Sequence, residues 1–454
     1  MDWKTQKVLV AGSGKSGIGA TDLLKKVGAK VIIYDGNDKL KEEDVLNKLE
    51  NKEDVKVILG ELEDSVINEI DMMVLSPGIA IDAPFVLRVK EAGVPIWGEI
   101  ELAYVIGKGK LAAITGTNGK TTTTALVGEI MANYYDKVDV VGNIGNPYTT
   151  TAFDSTDDTV TVAEISSFQL ETIHTFKPDV SAVLNITPDH LNRHYTMECY
   201  TDVKMSIAKN QDSNQPIVLN YEDPILREYA GKLTNRIIWF SSKQKVNPGV
   251  YLEGKNIIYA DGKKETFVTT TEDTTLVGIH NVENIMAAIA ISINMGVPVD
   301  IIRETIRKFK AVPHRIEYVE TINDVIYYND SKGTNTDASI KAIEAMSRPT
   351  ILIAGGYDKK VSFDDWAEAF GDKVKCLVLL GQTAEQIADT VKKHGFTNII
   401  FTESLKEAVD ECAKNAKPGD AVLLSPACAS WGMFDNYEQR GDMFKEYVRA
   451  MCEK

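Results

Sequence analysis

The chain has 454 residues, 44% of them hydrophobic, which is more than one ordinary core absorbs and points to two or three compact domains. A formal net charge of -16 argues against a general nucleic-acid or anionic-membrane binder, while leaving room for local anion sites. Cys199, Cys376, Cys412, Cys428 and Cys452 are scattered without a CxxC pair, and no apolar run approaches the roughly 20 residues that span a bilayer. The expectation is a reduced, cytoplasmic protein with no disulfide framework, no nucleic-acid partner and no membrane insertion.

Taken in chain order, short apolar runs alternate with helical periods: KVLVA, a helix from about Gly17 to Val27, KVIIYD, then MMVLSPG. That is the pattern of parallel strands joined by crossover helices. The pattern restarts near Gly98 with a helix (GEIELAYVIG), a strand (KLAAIT) and a Gly/Thr-rich turn. Strands TVTVAEI, SAVLNI, PIVLN and RIIWF follow, and GVYLEGKNIIYADGKKETFV reads as antiparallel hairpins at the edge of that unit. Helices at Val282 to Met295 and Asp300 to Lys310 lead to Pro313, a second boundary. Beyond it DVIYYND, TILIAGG, CLVLLG, NIIF and AVLLSP resume the alternation. Three α/β domains are expected, at 1-98, 99-311 and 312-454: a Rossmann-like first, a P-loop ATPase-like second and a Rossmann-like third.

The sharpest motif is Thr115-Gly116-Thr117-Asn118-Gly119-Lys120-Thr121, between a strand and a helix. Glycines let backbone N–H groups close around phosphate oxygens, the helix N-terminus adds positive potential, Lys120 neutralises charge, and the Thr121 hydroxyl can reach Mg²⁺. The spacing departs from GxxxxGK[ST], because Ile114 stands where the first glycine belongs. Gly12, Gly14 and Gly17 form a weaker G-x-G-x-x-G, with Asp35 ending the next strand. Two alternatives stay open for it: an NAD-dependent oxidoreductase site, or a plain tight turn packing strand on helix.

Glu164 ends one strand and His190 follows another, within Asn185-Ile186-Thr187-Pro188-Asp189-His190. Ligands of parallel sheets sit beyond the carboxyl ends of strands, so Glu164, His190 and Thr121 make a candidate Mg²⁺ set. Each has a plain structural alternative, and His174, His280, His314 and His394 have no assigned role. In the third unit, Asn329-Asp330-Ser331-Lys332-Gly333-Thr334-Asn335 and Ser425-Pro426-Ala427-Cys428-Ala429-Ser430-Trp431 lie at strand ends, with Arg315 nearby in sequence. A capped polar turn explains the former as well as a site does. No base accompanies Cys428, which reads as a small buried residue.

In this order, the motifs resemble the Mur ligase family over essentially the whole chain. Within it, DSKGTN (330–335), LLSPACAS (423–430) and Tyr437-Glu438-Gln439-Arg440-Gly441 are similar to the members that add D-glutamate. The resemblance implies that the first domain holds the UDP of UDP-N-acetylmuramoyl-L-alanine through Lys15, Ser16, Asp35, Gly36, Asn37 and Gly78; Lys15, Ser16, Gly36 and Asn37 read as loop residues. It implies ATP on Gly116, Thr117, Asn118, Gly119, Lys120, Thr121 and Thr122, with Asn281, Asn284, Arg315 and Asp330. Asn143, Glu164, His190 and Lys204 are implied as the magnesium region, with Lys204 N-carbamylated. Lys332, Thr334, Lys359, Ser430, Trp431 and Tyr437 are implied around D-glutamate and the acyl group. The implied reaction is ADP-forming amide ligation through an acyl phosphate, by a monomer, in peptidoglycan synthesis. A non-catalytic nucleotide switch remains a competing class, distinguishable by phosphate release with candidate acceptors.

Overall fold

The computed structural model describes residues 2–274, 276–310, 312–358 and 361–452. Two compact units are distinguished: 1–273 with 283–308, and 274–282 with 309–454. Among the described residues there are three sheets, two in the first unit and one in the second.

The first sheet is parallel throughout, in the order Lys56–Leu59, Lys30–Asp35, Lys7–Ala11, Met72–Leu75, Ile96–Gly98. This is the doubly wound arrangement, with the chain reversing direction across the sheet beside its central strand. The helix after Lys7–Ala11 starts at Lys15, two residues before the position expected from periodicity. Lys15 and Ser16 are therefore first-turn helical residues, not loop residues. The short strands Lys56–Leu59 and Ile96–Gly98 had no separate place in the sequence reading.

The second sheet has nine strands, in the order Glu265–Thr270, Asn256–Ala260, Gly249–Glu253, Arg236–Ser241, Pro216–Asn220, Val180–Val183, Lys110–Thr115, Val160–Glu164, Val138–Gly142. Its last two hairpin pairings are antiparallel and the others parallel, so the expected edge hairpins are present. The strand ending in Thr115 lies between those ending in Val183 and Glu164, and Val160–Glu164 is buried at every position. Central placement buries these strands on both faces and brings their carboxyl ends together. Lys204 stands on helix Met197–Met205, which runs on into a 3₁₀ turn Ser206–Ala208. The two later helices are Ile279–Asn294 and Val299–Lys308.

The third sheet runs Glu317–Ile322, Val325–Asn329, Ala421–Leu424, Thr350–Ala354, Val374–Leu379, Ile399–Phe401, parallel except for its first pair. Among the described residues no helix is long and apolar enough to cross a membrane.

Candidate active site

At the carboxyl end of the first sheet lies a cleft of about 660 Å³ lined by Gly14, Lys15, Ser16, Asp35, Gly36, Asn37 and Gly78 among others. Gly12 has φ +101°, and a Cβ there would stand 2.6 Å from Ser76 Oγ; a Cβ on Gly17 would meet Gly12 O at 1.8 Å. These two glycines serve the turn and the close helix–strand approach. Gly14 and Gly78, by contrast, have open space where a side chain would point. Asp35 closes the loop: Oδ2 accepts from Ser13 N at 3.0 Å and Ser13 Oγ at 2.6 Å, and Oδ1 from Asn37 N at 3.1 Å. Partial burial works against its ionisation, but these donors outweigh it and hold the carboxyl below its ordinary range. Tyr34 and Phe85 form an aromatic wall with ring centroids 4.9 Å apart, which no motif announced.

The second sheet positions the phosphate-type loop. Gly119, at φ +85°, caps helix Lys120–Ala132 in the left-handed region, and Asn284 packs so close that a Cβ would meet its Oδ1 at 2.2 Å. Asn118 N donates to Asn185 Oδ1 at 2.8 Å, and Asn185 Nδ2 donates back to Asn118 O at 3.1 Å. Thr187 N donates to Thr117 Oγ1 at 3.0 Å, and Tyr200 OH lies 3.1 Å from the same hydroxyl. Lys120 Nζ reaches Gly116 O at 2.9 Å and Thr117 O at 2.8 Å, and Lys204 Nζ reaches Gly116 O at 2.8 Å. Two lysines thus converge on one carbonyl oxygen. Thr121 and Thr122 are buried in the first turn.

Glu164 is buried; Oε1 accepts from Asn143 Nδ2 at 2.7 Å, while Oε2 has no hydrogen-bond partner among the described residues. A carboxyl oxygen held dry in this way suits a hard cation. Burial first, then the neighbouring Lys120 charge, pushes the Lys204 ammonium far below its ordinary range, against the pull of Asp189 and Glu164. His190 has φ +53° and sits against the Phe168 ring, with Nε2 3.5 Å from Asp189 Oδ2. Among the described residues no three His, Cys, Asp or Glu side chains converge as a metal-binding group. Mg²⁺ commonly takes one or two carboxylates and completes its shell with phosphate and water, so the donors present fit it.

In the second unit, DSKGTN and SPACASW lie at the ends of the adjacent strands Val325–Asn329 and Ala421–Leu424. Arg440, buried, ties them together: Nε donates to Ser331 Oγ at 2.9 Å, Nη2 to Ser331 O at 2.7 Å and Nη1 to Cys428 O at 3.3 Å. Asp330 accepts from Ser425 Oγ at 2.7 Å and lies 4.0 Å from Arg315 Nη1; burial, only partly countered by Arg315, pushes its carboxyl up to about 6. Lys332 Nζ stands 5.3 Å from the centre of the Tyr437 ring. Thr334 lies in the same turn, its N–H donating to Lys332 O at 2.9 Å. Ser430 is buried and Trp431 exposed, its ring 5.7 Å from that of Tyr357. Asn281 is buried, donating through Nδ2 to Val277 O at 2.8 Å. Cys428 is buried beside Thr383 Oγ1 at 3.3 Å, and Lys359 lies outside the described residues.

A doubly wound cleft, a glycine-rich strand-to-helix turn beside a buried carboxylate, and a third α/β sheet with polar strand ends are the parts of a multidomain nucleotide-binding enzyme. The chain belongs to the Mur ligase family: residues 6–98 match the Mur ligase MurD-like N-terminal domain, 114–292 the Mur ligase middle domain, and 314–428 the Mur ligase glutamate ligase domain. Over 452 residues it is 58% identical to a "UDP-N-acetylmuramoylalanine--D-glutamate ligase" of Lachnospira eligens, spanning 99% of this chain and 100% of that protein. A protein of the same name from Clostridioides difficile is 47% identical, with 99% and 100% covered. The fold is similar to that of UDP-N-acetylmuramate-alanine ligase from Thermotoga maritima (TM-score 0.61, 19% identity, 99% and 100% covered) and of a pseudomurein peptide ligase type C from Methanothermus fervidus (0.62, 17%, 98% and 100%).

Proposed function

We propose that this protein joins D-glutamate to UDP-N-acetylmuramoyl-L-alanine with ATP, forming ADP and phosphate, in the cytoplasmic stage of peptidoglycan synthesis. The observation that carries the reading is the full-length likeness to ligases of that name, together with a phosphate turn in which Lys120, Lys204 and the dry Glu164 carboxylate gather. The domains are taken as 1-98 for the UDP-linked acceptor, 99-311 for ATP and 312-454 for the amino acid.

A carboxylate is a poor acyl donor, so its oxygen first attacks the γ-phosphorus of ATP, the bond to ADP breaks, and an acyl phosphate forms. The neutral amine of D-glutamate then attacks the acyl carbon, a tetrahedral adduct collapses, phosphate leaves and the nitrogen loses a proton. Lys120 leaves its backbone carbonyls for the β/γ-phosphates, and the N–H groups of the Gly116–Thr122 turn hold them as charge develops. Mg²⁺, when bound, supplies charge neutralisation on the phosphates; Glu164, Thr121, His190 and a Lys204 carbamate are the residues proposed to hold it. Lys15, Ser16, Asp35, Gly36, Asn37 and Gly78 are assigned to the UDP portion and Asn143 to the acceptor. Asn281, Asn284, Arg315 and Asp330 are assigned to ATP, and Lys332, Thr334, Lys359, Ser430, Trp431 and Tyr437 to the amino acid and acyl group.

The test is phosphate release from ATP with the UDP-linked acceptor and a panel of amino acids. D-Glutamate alone should support full turnover; equal turnover with L-glutamate or a diamino acid would refute the substrate assignment.

A further inference from the structure

Arg193 occupies the short helix Leu191–His194, three residues past His190, in the second-sheet part of the first unit. Its guanidinium does not face solvent. Nη1 donates to Pro77 O at 3.0 Å and Nη2 to Ile79 O at 2.9 Å, the two carbonyls on either side of Gly78. Nε donates to Glu171 Oε1 at 3.2 Å, and Nη2 also pairs with Glu171 Oε2. The carbon at the centre of the fork lies 4.3 Å from the centre of the Phe168 ring. With side-chain exposures of 12% for Arg193 and 4% for Glu171, this is a largely desolvated clasp and not a surface ion pair. Two residues further on, the Tyr195 hydroxyl donates to Asp82, so the same segment grips the first-sheet loop twice.

We infer that Arg193 is a positioning residue for the nucleotide-sugar cleft, fixing its Pro77–Ile79 wall from the loop that carries His190. Pro77, Gly78 and Ile79 line that cleft, and the space beyond Gly78 is open, so a ligand meets backbone there. One planar fork serves both the Pro77 and the Ile79 carbonyl and so holds the two at a fixed spacing. Glu171 neutralises the buried charge and Phe168 sets the plane of the fork. Without the fork the wall is free to move, and a ligand must bear the cost of ordering it. The inference rests on reading the cleft as the site of the UDP-linked acceptor.

The test uses the full chain with Arg193→Gln and Arg193→Lys, each checked by thermal melting. Acceptor affinity is measured by calorimetry without ATP, and KM for ATP is measured separately. Arg193→Gln should weaken acceptor binding about tenfold, with KM for ATP changed by less than about twofold, and Arg193→Lys, which keeps the charge but not the fork, should fall between. Unchanged acceptor affinity in a folded Arg193→Gln chain, or equal losses for both ligands, would overturn the inference. Should Arg193→Gln not fold, Glu171→Gln keeps the fork but removes its counter-charge. The same split, smaller in size, is expected of it, and its absence would overturn the inference equally. A wild-type chain that does not bind the acceptor at all would overturn the cleft assignment and the inference with it.

Discussion

Asn118 and Asn185 exchange hydrogen bonds in both directions, Asn118 N to Asn185 Oδ1 at 2.8 Å and Asn185 Nδ2 to Asn118 O at 3.1 Å. One side chain thereby holds the N–H and the C=O of Asn118, and so the two successive peptide groups in the middle of the glycine-rich turn. A turn that receives phosphate on its N–H groups gains affinity when those groups are oriented beforehand.

Asn185→Ala should therefore weaken ATP, at roughly 1 kcal/mol for each of two lost hydrogen bonds, or about tenfold or more in KM. Acceptor affinity in calorimetry should stay unchanged. An ATP KM within about twofold of wild type would show that the turn keeps its shape without the pair.

Lys120→Ala should lower turnover by roughly 10²–10³-fold or more, since its ammonium is the charge nearest the phosphate turn on the turn's own helix. The cleft proposed for the acceptor is built on the other sheet of the unit, so the affinity of the UDP-linked acceptor should change by less than about threefold. Calorimetry showing both affinities collapsing together would contradict that division.

Glu99 predicts a pH dependence of stability. It is buried, with Oε1 accepting from Gln169 Nε2 at 2.7 Å and Oε2 without a hydrogen-bond partner among the described residues. Burial, only partly offset by Gln169, pushes its carboxyl from the ordinary 4.5 up to about 7. Between those values the folded chain holds a proton that the unfolded chain has released. Stability from the neutral acid is complete below pH 4.5 and is lost as the pH rises through 7. Glu99→Gln removes this titration. It should raise stability over wild type at pH 8, by up to about 3 kcal/mol, and much less at pH 5. Equal differences in melting temperature at the two pH values would show that Glu99 does not titrate there.

What the sequence disclosed follows from how local each signal is. The turn from Gly116 to Thr121 is contiguous, so its chemistry reads directly from the order of residues. The strand Val160–Glu164 is buried throughout because both faces are covered, and its mostly apolar run ends visibly in a carboxylate. Val138–Gly142, a half-exposed edge strand interrupted by Asp139, lacks that signature and was not foreseen. Arg193 and its carbonyl partners lie more than 110 residues apart, and nothing in Leu191-Asn192-Arg193-His194 announces a buried guanidinium. Arg440 stood in the sequence as one member of the Tyr437–Gly441 segment, without a role of its own. Its burial comes from donating to the Ser331 and Cys428 carbonyls, which belong to two strand ends distant in sequence. Phe85 entered the cleft wall from a helix with no motif at all.

The final prediction concerns Lys204. Its Nζ is buried, 2.8 Å from Gly116 O and 4.8 Å from the centre of the Tyr200 ring, and shares its carbonyl acceptor with Lys120. Burial and then the Lys120 charge disfavour the ammonium form, so the amine that reacts with CO₂ is more populated than on an exposed lysine. The amine nitrogen bonds to the carbon of CO₂ and one proton is released, leaving a carbamate. A cation beside a proposed Mg²⁺ site would thereby become an oxygen ligand, and the pair of like charges at Gly116 O would be relieved. Protein equilibrated with ¹³C-bicarbonate should show a bound carbamate carbon signal that is missing from Lys204→Ala, and the same substitution should cripple acyl-phosphate formation. Full activity of the wild-type chain in strictly CO₂-depleted buffer, with no such signal, would show that Lys204 serves ATP as a plain cation.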